Sequence, residues 1–235
     1  MRSLATALFL SSTLLASSAL AVTGSGTKLK ETRKISDFTE IEVSDGITLD
    51  VQKGATSLTI EGDDNLVPLY TTEVVKGRLR IHRATRESVR TKLELVVRVT
   101  TPSLKRIEAS GGVDATLDGV AAKDFEATLS GGVDFKAQKL DLDTLALEAS
   151  GGVELTLAGK AKSAKVQTSG GVNLKGKGLE IAQLTVDASG GCSLDVTARE
   201  SITGEVSGGV GVTVYGNPPK SRVRTSPGAS VDYVD

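Results

Sequence analysis

The sequence predicts an all-β protein, specifically a parallel β-helix (β-solenoid) with about 20 residues per coil. Three observations point there. The triplet Ser-Gly-Gly recurs at Ser110, Ser130, Ser150, Ser169, Ser189 and Ser207, at intervals of 20, 20, 19, 20 and 18 residues. Apolar residues fall at every second position on both sides of each triplet. The 235 residues include 26 glycines and no tryptophan, with aromatic residues at 3%.

The first 21 residues read as a signal peptide. Arg2 provides the positive start, Leu4 to Leu15 the apolar stretch, and Ala19-Leu20-Ala21 the small-x-small cleavage pattern. The stretch is too short and too rich in serine to serve as a transmembrane anchor. The protein is therefore expected to be exported, periplasmic or extracellular, with no membrane span after cleavage. Residues 22–34 read as a flexible N-terminal segment, 35–219 as the β-solenoid domain, and 220–235 as a C-terminal tail or capping segment.

Within the domain, Ile41-Glu42-Val43, Ile47 to Val51, Leu58-Thr59-Ile60, Leu79-Arg80-Ile81 and Leu93 to Val99 read as strands. Lys76-Gly77 marks a turn, and Asp63-Asp64-Asn65 another. From Ser110 onward the alternation is regular. Val113, Ala115 and Leu117 are followed by Val133, Phe135 and Ala137, then by Val153, Leu155 and Leu157. Val172 and Leu174, then Cys192, Leu194 and Val196, then Val210, Val212 and Val214 continue the series. The intervening positions are polar, as in a strand with one buried and one wet face. Short strands of this kind bury their apolar faces by stacking on copies of themselves. The glycine pairs Gly111-Gly112, Gly131-Gly132, Gly151-Gly152, Gly170-Gly171, Gly190-Gly191 and Gly208-Gly209 read as structural corners. A tight bend there calls for positive φ, and corners stacked about 4.8 Å apart leave little room for side chains. A degenerate copy of the corner reads at Pro227-Gly228-Ala229-Ser230-Val231. A leucine-rich repeat lacks its consensus here, and helical repeats fail because the period is two.

The residues also resemble a known bacterial family, the "putative auto-transporter adhesin, head GIN domain" proteins. The resemblance lies in Phe38 to Val43, Gly46-Ile47 with Val51, Glu61 to Leu66 with Pro68, and Thr72-Glu73-Val74 ahead of Gly77-Arg78-Leu79. The Ser-Gly-Gly-Val-Asp repeats and Val214-Tyr215-Gly216-Asn217-Pro218 complete it, so that it spans residues 35 to about 219. It implies a right-handed parallel β-helix and an adhesion function; a literal auto-transporter barrel is missing from this sequence.

Composition excludes several classes of function. With 28 basic and 29 acidic residues the formal charge is −1, which argues against a dedicated nucleic-acid binder. One cysteine and one histidine are too few for a structural zinc site or a disulfide framework. Cys192 stands where neighbouring repeats carry valine and reads as core. His82 lies on the polar side of its strand and reads as surface. Ser-Gly-Gly is not followed by Gly-Lys-Ser/Thr, so no phosphate-binding loop is present, and no cofactor is implied.

Two features could carry chemistry. Asp114, Asp134 and Glu154 occupy one outward column, joined by Asp118, and are the candidate metal ligands, with Ca²⁺ the cation they suit. The same column, with Lys136 and Lys175 facing it, is the alternative site for a carbohydrate-active β-helix enzyme; as a bare solvated ladder it would only oppose aggregation. From residue 76 to 106 the chain is basic, with Lys76, Arg78, Arg80, Arg83, Arg86, Arg90, Lys92, Arg98, Lys105 and Arg106 against Glu87 and Glu94. That stretch is either an electropositive patch or a set of solvated strand faces. The leading expectation is a non-enzymatic exported domain that presents a repetitive surface for adhesion or binding at the cell envelope. An envelope protein or a charged glycan is the partner class, and an envelope scaffolding module is a further alternative. Connections of under ten residues give little wall for an enzyme's groove.

Overall fold

The computed structural model describes residues 21–85 and 87–234; the expected signal peptide, except Ala21, lies outside the described residues. The chain is all-β apart from one 3-10 turn at Val67–Leu69. The strands are β1 (Val22–Thr23), β2 (Lys28–Arg33), β3 (Glu40–Ser44), β4 (Thr48–Lys53), β5 (Ser57–Asp63), β6 (Tyr70–Val75), β7 (Arg78–Arg83) and β8 (Val89–Arg90). They continue with β9 (Val96–Thr101), β10 (Arg106–Ser110), β11 (Val113–Asp118), β12 (Ala121–Gly190), β13 (Ser193–Gly208), β14 (Gly211–Tyr215), β15 (Lys220–Thr225) and β16 (Ser230–Val234).

The expected right-handed parallel β-solenoid is corrected here. Fourteen of these strands form one mixed sheet, which curls into a nearly closed, barrel-like wall around the core. Its path runs β2-β5-β9-β4-β11-β12-β10-β3-β7-β6. Three ladders in it are antiparallel: β2 with β5, β5 with β9, and β6 with β7. The physical reason lies in the first half of the chain, which lacks the regular corners and contains reversing turns. At Lys76-Gly77 both residues adopt positive φ, 53° and 80°. A two-residue turn of that kind sends β7 straight back along β6 as a hairpin.

The second half pairs differently. Arg106 to Ser110 lie in parallel register with Glu126 to Ser130, and Val113 to Asp118 with Val133 to Gln138. Asp187, Ala188 and Ser189 align with Glu205, Val206 and Ser207. The interval between triplets has become the register of the ladders. β12 shows what the glycines do. Its 70 residues would stretch roughly 230 Å if straight, so the strand must bend, and Gly131, Gly151, Gly159 and Gly170 within it all have positive φ.

The corners stack backbone on backbone. A Cβ on Gly151 would lie 3.2 Å from the nitrogen of Gly131, one on Gly170 3.1 Å from that of Gly151, and one on Gly190 2.8 Å from that of Gly170. A Cβ on Gly208 would lie 2.9 Å from the carbonyl oxygen of Gly190, and one on Gly228 3.1 Å from that of Gly208. The column thus extends past the last Ser-Gly-Gly. The first glycine of each triplet has positive φ, from 69° at Gly111 to 93° at Gly190. Of the second glycines only Gly112 does, at 77°, and a Cβ on Gly132 would meet nothing within 4 Å.

Inside, one continuous apolar cluster runs from Phe38 to Val214. Phe135 is its largest fully buried side chain, and it stands directly against Ala115 in the β11–β12 ladder. The small residue makes room for the large one, which keeps the interior at crystal-like density.

Residues 22–34, read as a flexible lead-in, carry β1 and β2. β1 pairs with β8 and β2 with β5. Residues 220–235 carry β15 and β16, which pair with β13 and β14.

Candidate binding surface

Two outward faces flank the glycine column. The face after the corner holds the predicted acidic residues. Asp114 stands directly opposite Asp134 in register, and Glu154 and Asn173 line the same shallow depression. The lysines that follow engage these acids. Lys136 Nζ lies 3.3 Å from Asp134, and Lys175 Nζ donates to Glu154 Oε1 at 2.5 Å. The hydrogen bond from Lys175 and its charge hold the Glu154 carboxyl below the ordinary glutamate value. Glu154 in turn holds the lysine above its own. Asp118 receives Lys139 at 2.9 Å. Among the described residues no three histidine, cysteine or acidic side chains lie close enough together to hold a metal ion. Glu154 and Asp118 thus pair with lysines on the next strand, Asp134 with a lysine of its own strand, and Asp114 has no ion-pair partner among the described residues. Further along the chain the same spacing joins Lys162 to Asp143 at 2.6 Å and Arg199 to Glu180 at 2.5 Å.

The face before the corner is organised otherwise. At one end Arg78 reaches Glu40, Glu108 and Glu42 at 2.8, 3.3 and 3.5 Å. Arg106 bridges Glu108 at 2.7 Å and Glu126 at 3.1 Å. At the other end Arg224 binds Glu205 at 2.7 Å. Between these ends lies an open groove of about 560 Å³, crossed by Thr128, Glu148, Gln167, Asp187 and Glu205 and bordered by the corner serines. Glu148 and Asp187 make no ion pair or hydrogen bond with any described residue. This central stretch is polar, acidic and uncommitted.

Five of the nine described basic residues between 76 and 106 are ion-paired within the protein. Besides Arg78 and Arg106, Arg80 meets Glu42 at 3.3 Å, Arg83 meets Asp45 at 3.9 Å, and Arg98 meets Asp50 and Glu61 at 3.6 Å each. These pairs follow from strand register, which sets Glu40 and Glu42 beside Arg78 and Arg80. Arg86 lies outside the described residues. His82 sits in β7 opposite Thr71 and is half-buried. Cys192 is buried, and its Sγ donates to the carbonyls of Ser189 and Gly170 at 3.3 and 3.5 Å.

One residue escaped the sequence reading. Asp63, taken as part of a turn, is buried and accepts three backbone hydrogen bonds. They come from Gly26 N at 2.7 Å, Lys92 N at 2.9 Å and Leu93 N at 3.0 Å. Burial pushes its carboxyl up, but the N–H groups of Leu93, Gly26 and Lys92 outweigh that and leave it below the ordinary aspartate value. Asn65 completes the clasp, accepting from Ser25 N at 2.9 Å and donating to Thr23 O at 3.0 Å. Nothing in the residues around Asp63 signals this, because its donors come from positions 37, 29 and 30 residues away. Asp63 is the one buried carboxylate among the described residues, and its bonds make it an anchor for the chain.

The family model described as "putative auto-transporter adhesin, head GIN domain" matches residues 37–218. The chain belongs to that family. No curated protein sequence matches it. Among solved structures, this head GIN domain chain is similar to a "putative adhesin" from Bacteroides fragilis, with TM-score 0.87 and 20% identity over 91% of this chain and 100% of that one. A "putative lipid binding protein" from Parabacteroides distasonis matches at TM-score 0.72 and 18% identity, covering 92% and 100%. A "putative adhesin" from Parabacteroides merdae matches at 0.68 and 18%, covering 92% and 99%. At these identities the likeness is one of fold. No helix among the described residues is long and apolar enough to cross a membrane.

Proposed function

We propose that this head GIN domain protein is an exported, non-catalytic binding domain that presents the face before the corner to a macromolecular partner at the cell envelope. The observation that carries this reading is the groove from Thr128 to Glu205, where Glu148 and Asp187 stand without partners between two ion-paired ends. At both ends of this face the acids are met by arginines on the next strand. Unpaired carboxylates on a rigid sheet lose no internal contact when they bind, and their charge steers a cationic partner towards them. The alignment of hydroxyls, amides and acids in columns suits an extended surface contact with a basic segment of an envelope protein. The adhesin descriptions of the family and of its structural relatives agree with such a role. The open groove has the geometry of a contact surface, where an enzyme needs converging groups in a walled pocket.

The test is binding of the purified protein to isolated bacterial envelopes, measured for the wild type, for Glu148→Lys with Asp187→Lys, and for Asp134→Lys on the other face. Loss of binding in the groove variant, by at least about tenfold, with Asp134→Lys close to wild type, is the expected result. Equal behaviour of the two variants, or release of soluble glycan fragments from the envelopes, would overturn it.

A further inference from the structure

The two ends of the sheet are finished differently. At the beginning of the chain the edge strands are β2 and β6. β2 reads Lys-Leu-Lys-Glu-Thr-Arg, and its charges discourage pairing with another chain. Arg33 also ties the two edges together, donating to Tyr70 O at 2.6 Å, Thr72 Oγ1 at 3.2 Å and Val67 O at 3.1 Å.

At the other end β15 pairs with β13 alone and β16 with β14 alone, so each leaves a row of backbone donors and acceptors without a described partner. Their inward positions continue the core columns: Val223 aligns with Gly204, Thr225 with Val206, Val231 with Val212 and Tyr233 with Val214. Val223 and Val231 are half-buried, and Tyr233 is 47% exposed. β15 carries Lys220, Arg222 and Arg224 on this edge, while β16 carries Asp232. β15 runs into the corner at Gly228 and β16 runs out of it. The corner is held by hydrogen bonds from Ala229 N to Ser226 O, 3.1 Å, and from Ser230 N to Val210 O, 2.9 Å.

We propose that this edge is an interface for a second copy of the same chain, related by a two-fold axis through Gly228. The axis lays β15 of one copy antiparallel along β16 of its partner, and the reverse, so that both open edges are hydrogen-bonded at once. Self-complementarity of the sequence around Gly228 carries the proposal. In that register Arg224 faces Asp232 of the second copy on the outward side. On the inward side Val223 faces Tyr233, and Thr225 faces Val231. Ser226 faces Ser230, and Arg222 lies beside Val234. Opposite charges meet on the wet face and apolar groups on the core face, as stable antiparallel cross-strand pairs require. Each contact occurs twice, as in any two-fold interface. Pairing β15 with β15 instead would set arginines against arginines. The interface lies at the end of the sheet and adjoins the groove only through Arg224, which also meets Glu205 of its own chain; Glu148 and Asp187 lie outside it.

The experiment is sedimentation equilibrium of the exported, processed protein from about 1 µM to about 1 mM, spanning typical association strengths. The variants are Arg224→Asp, Asp232→Arg and the two combined. A concentration-dependent dimer is expected, weakened by at least about tenfold in each single variant. The combined variant, which restores opposite charges in both copies, should return to within about threefold of wild type. Asp232 has no ion-pair partner among the described residues, so Asp232→Arg perturbs the isolated chain least. Circular dichroism melting confirms that each variant is folded. A monomer at every concentration would overturn the proposal, as would a dimer indifferent to both reversals, or a folded double variant that fails to recover.

Discussion

Residues 22–105 and residues 106–234 solve the same problem, covering one apolar core with strands, by different means. The first region mixes antiparallel with parallel ladders and adds a hairpin at Lys76-Gly77 and polar ties from Asp63, Asn65 and Arg33. The second uses parallel ladders in a repeated register, corners of stacked glycine backbone, and ion pairs between residues 19 to 21 positions apart. In the second region stability depends on close approach of backbone to backbone, which a single methyl group disrupts. In the first it depends on hydrogen bonds to particular side chains, which a change of charge or pH disrupts.

The comparison can be broken most forcefully at the glycines. A Cβ on Gly204, where φ is 137°, would lie 1.9 Å from the carbonyl oxygen of Val186. Gly204→Ala should therefore destabilise the protein by about 4 kcal/mol or more in urea unfolding, combining backbone strain with a clash. Gly132→Ala, with open space around its Cβ, should stay within about 0.5 kcal/mol of wild type. Equal effects would remove close approach of neighbouring backbones as the reason this region uses glycine.

Next in size is the core. Phe135→Ala leaves a cavity beside Ala115 and should cost about 3–5 kcal/mol. Ala115→Phe in the same background tests whether the pair shares one space: partial recovery is expected, and further loss would show that the two sites are not interchangeable.

The Asp63 clasp gives an intermediate effect with a pH signature. Its carboxyl has a folded pKa below the unfolded value, which is about 3.9 for aspartate. The contribution is therefore fully present above the unfolded value and is lost as pH falls through the folded one. Asp63→Asn should lower the melting temperature at neutral pH. The gap to wild type should narrow as the pH drops below about 4, and a gap that stays constant would assign the loss to packing alone. The smallest effect is expected on the exposed ladder: Lys175→Ala should leave the melting temperature unchanged within error, because an exposed ion pair contributes little.

Much of the second region was legible in the sequence. The intervals between Ser110, Ser130 and Ser150 state which residues become ladder partners, and the alternation through Val133, Phe135 and Ala137 states which side is buried. Repetition makes local sequence report on long-range pairing, because each strand's neighbour is its own copy. The first region offers no such shortcut. That β5 runs antiparallel between β2 and β9 follows from three segments meeting that share no periodicity. The expectation of a uniform parallel solenoid failed there, since a regular second half was extended over an irregular first half.

The candidate surface divides in the same way. The acidic column Asp114, Asp134 and Glu154 was visible as a pattern, but whether its acids stand alone depends on where Lys136 and Lys175 reach. The basic run looked like a patch until register placed Glu40, Glu42 and Glu108 beside its arginines. The groove holding Glu148 and Asp187 was not singled out, because nothing in those residues alone says whether a base on a neighbouring strand reaches them.

By itself, then, the sequence determined the all-β character, the buried column of Val, Leu and Ala, and the glycine corners. These depend on interactions within one strand or between near-identical strands, where side-chain alternation and backbone sterics act locally. Only the tertiary structure decided the mixed sheet, the anchoring of residues 22–33 by Asp63 and Arg33, the pairing of charges, and the placing of β15 and β16 with one described neighbour each. Those depend on which distant groups are brought within a few ångströms of one another, the range at which hydrogen bonds and ion pairs form.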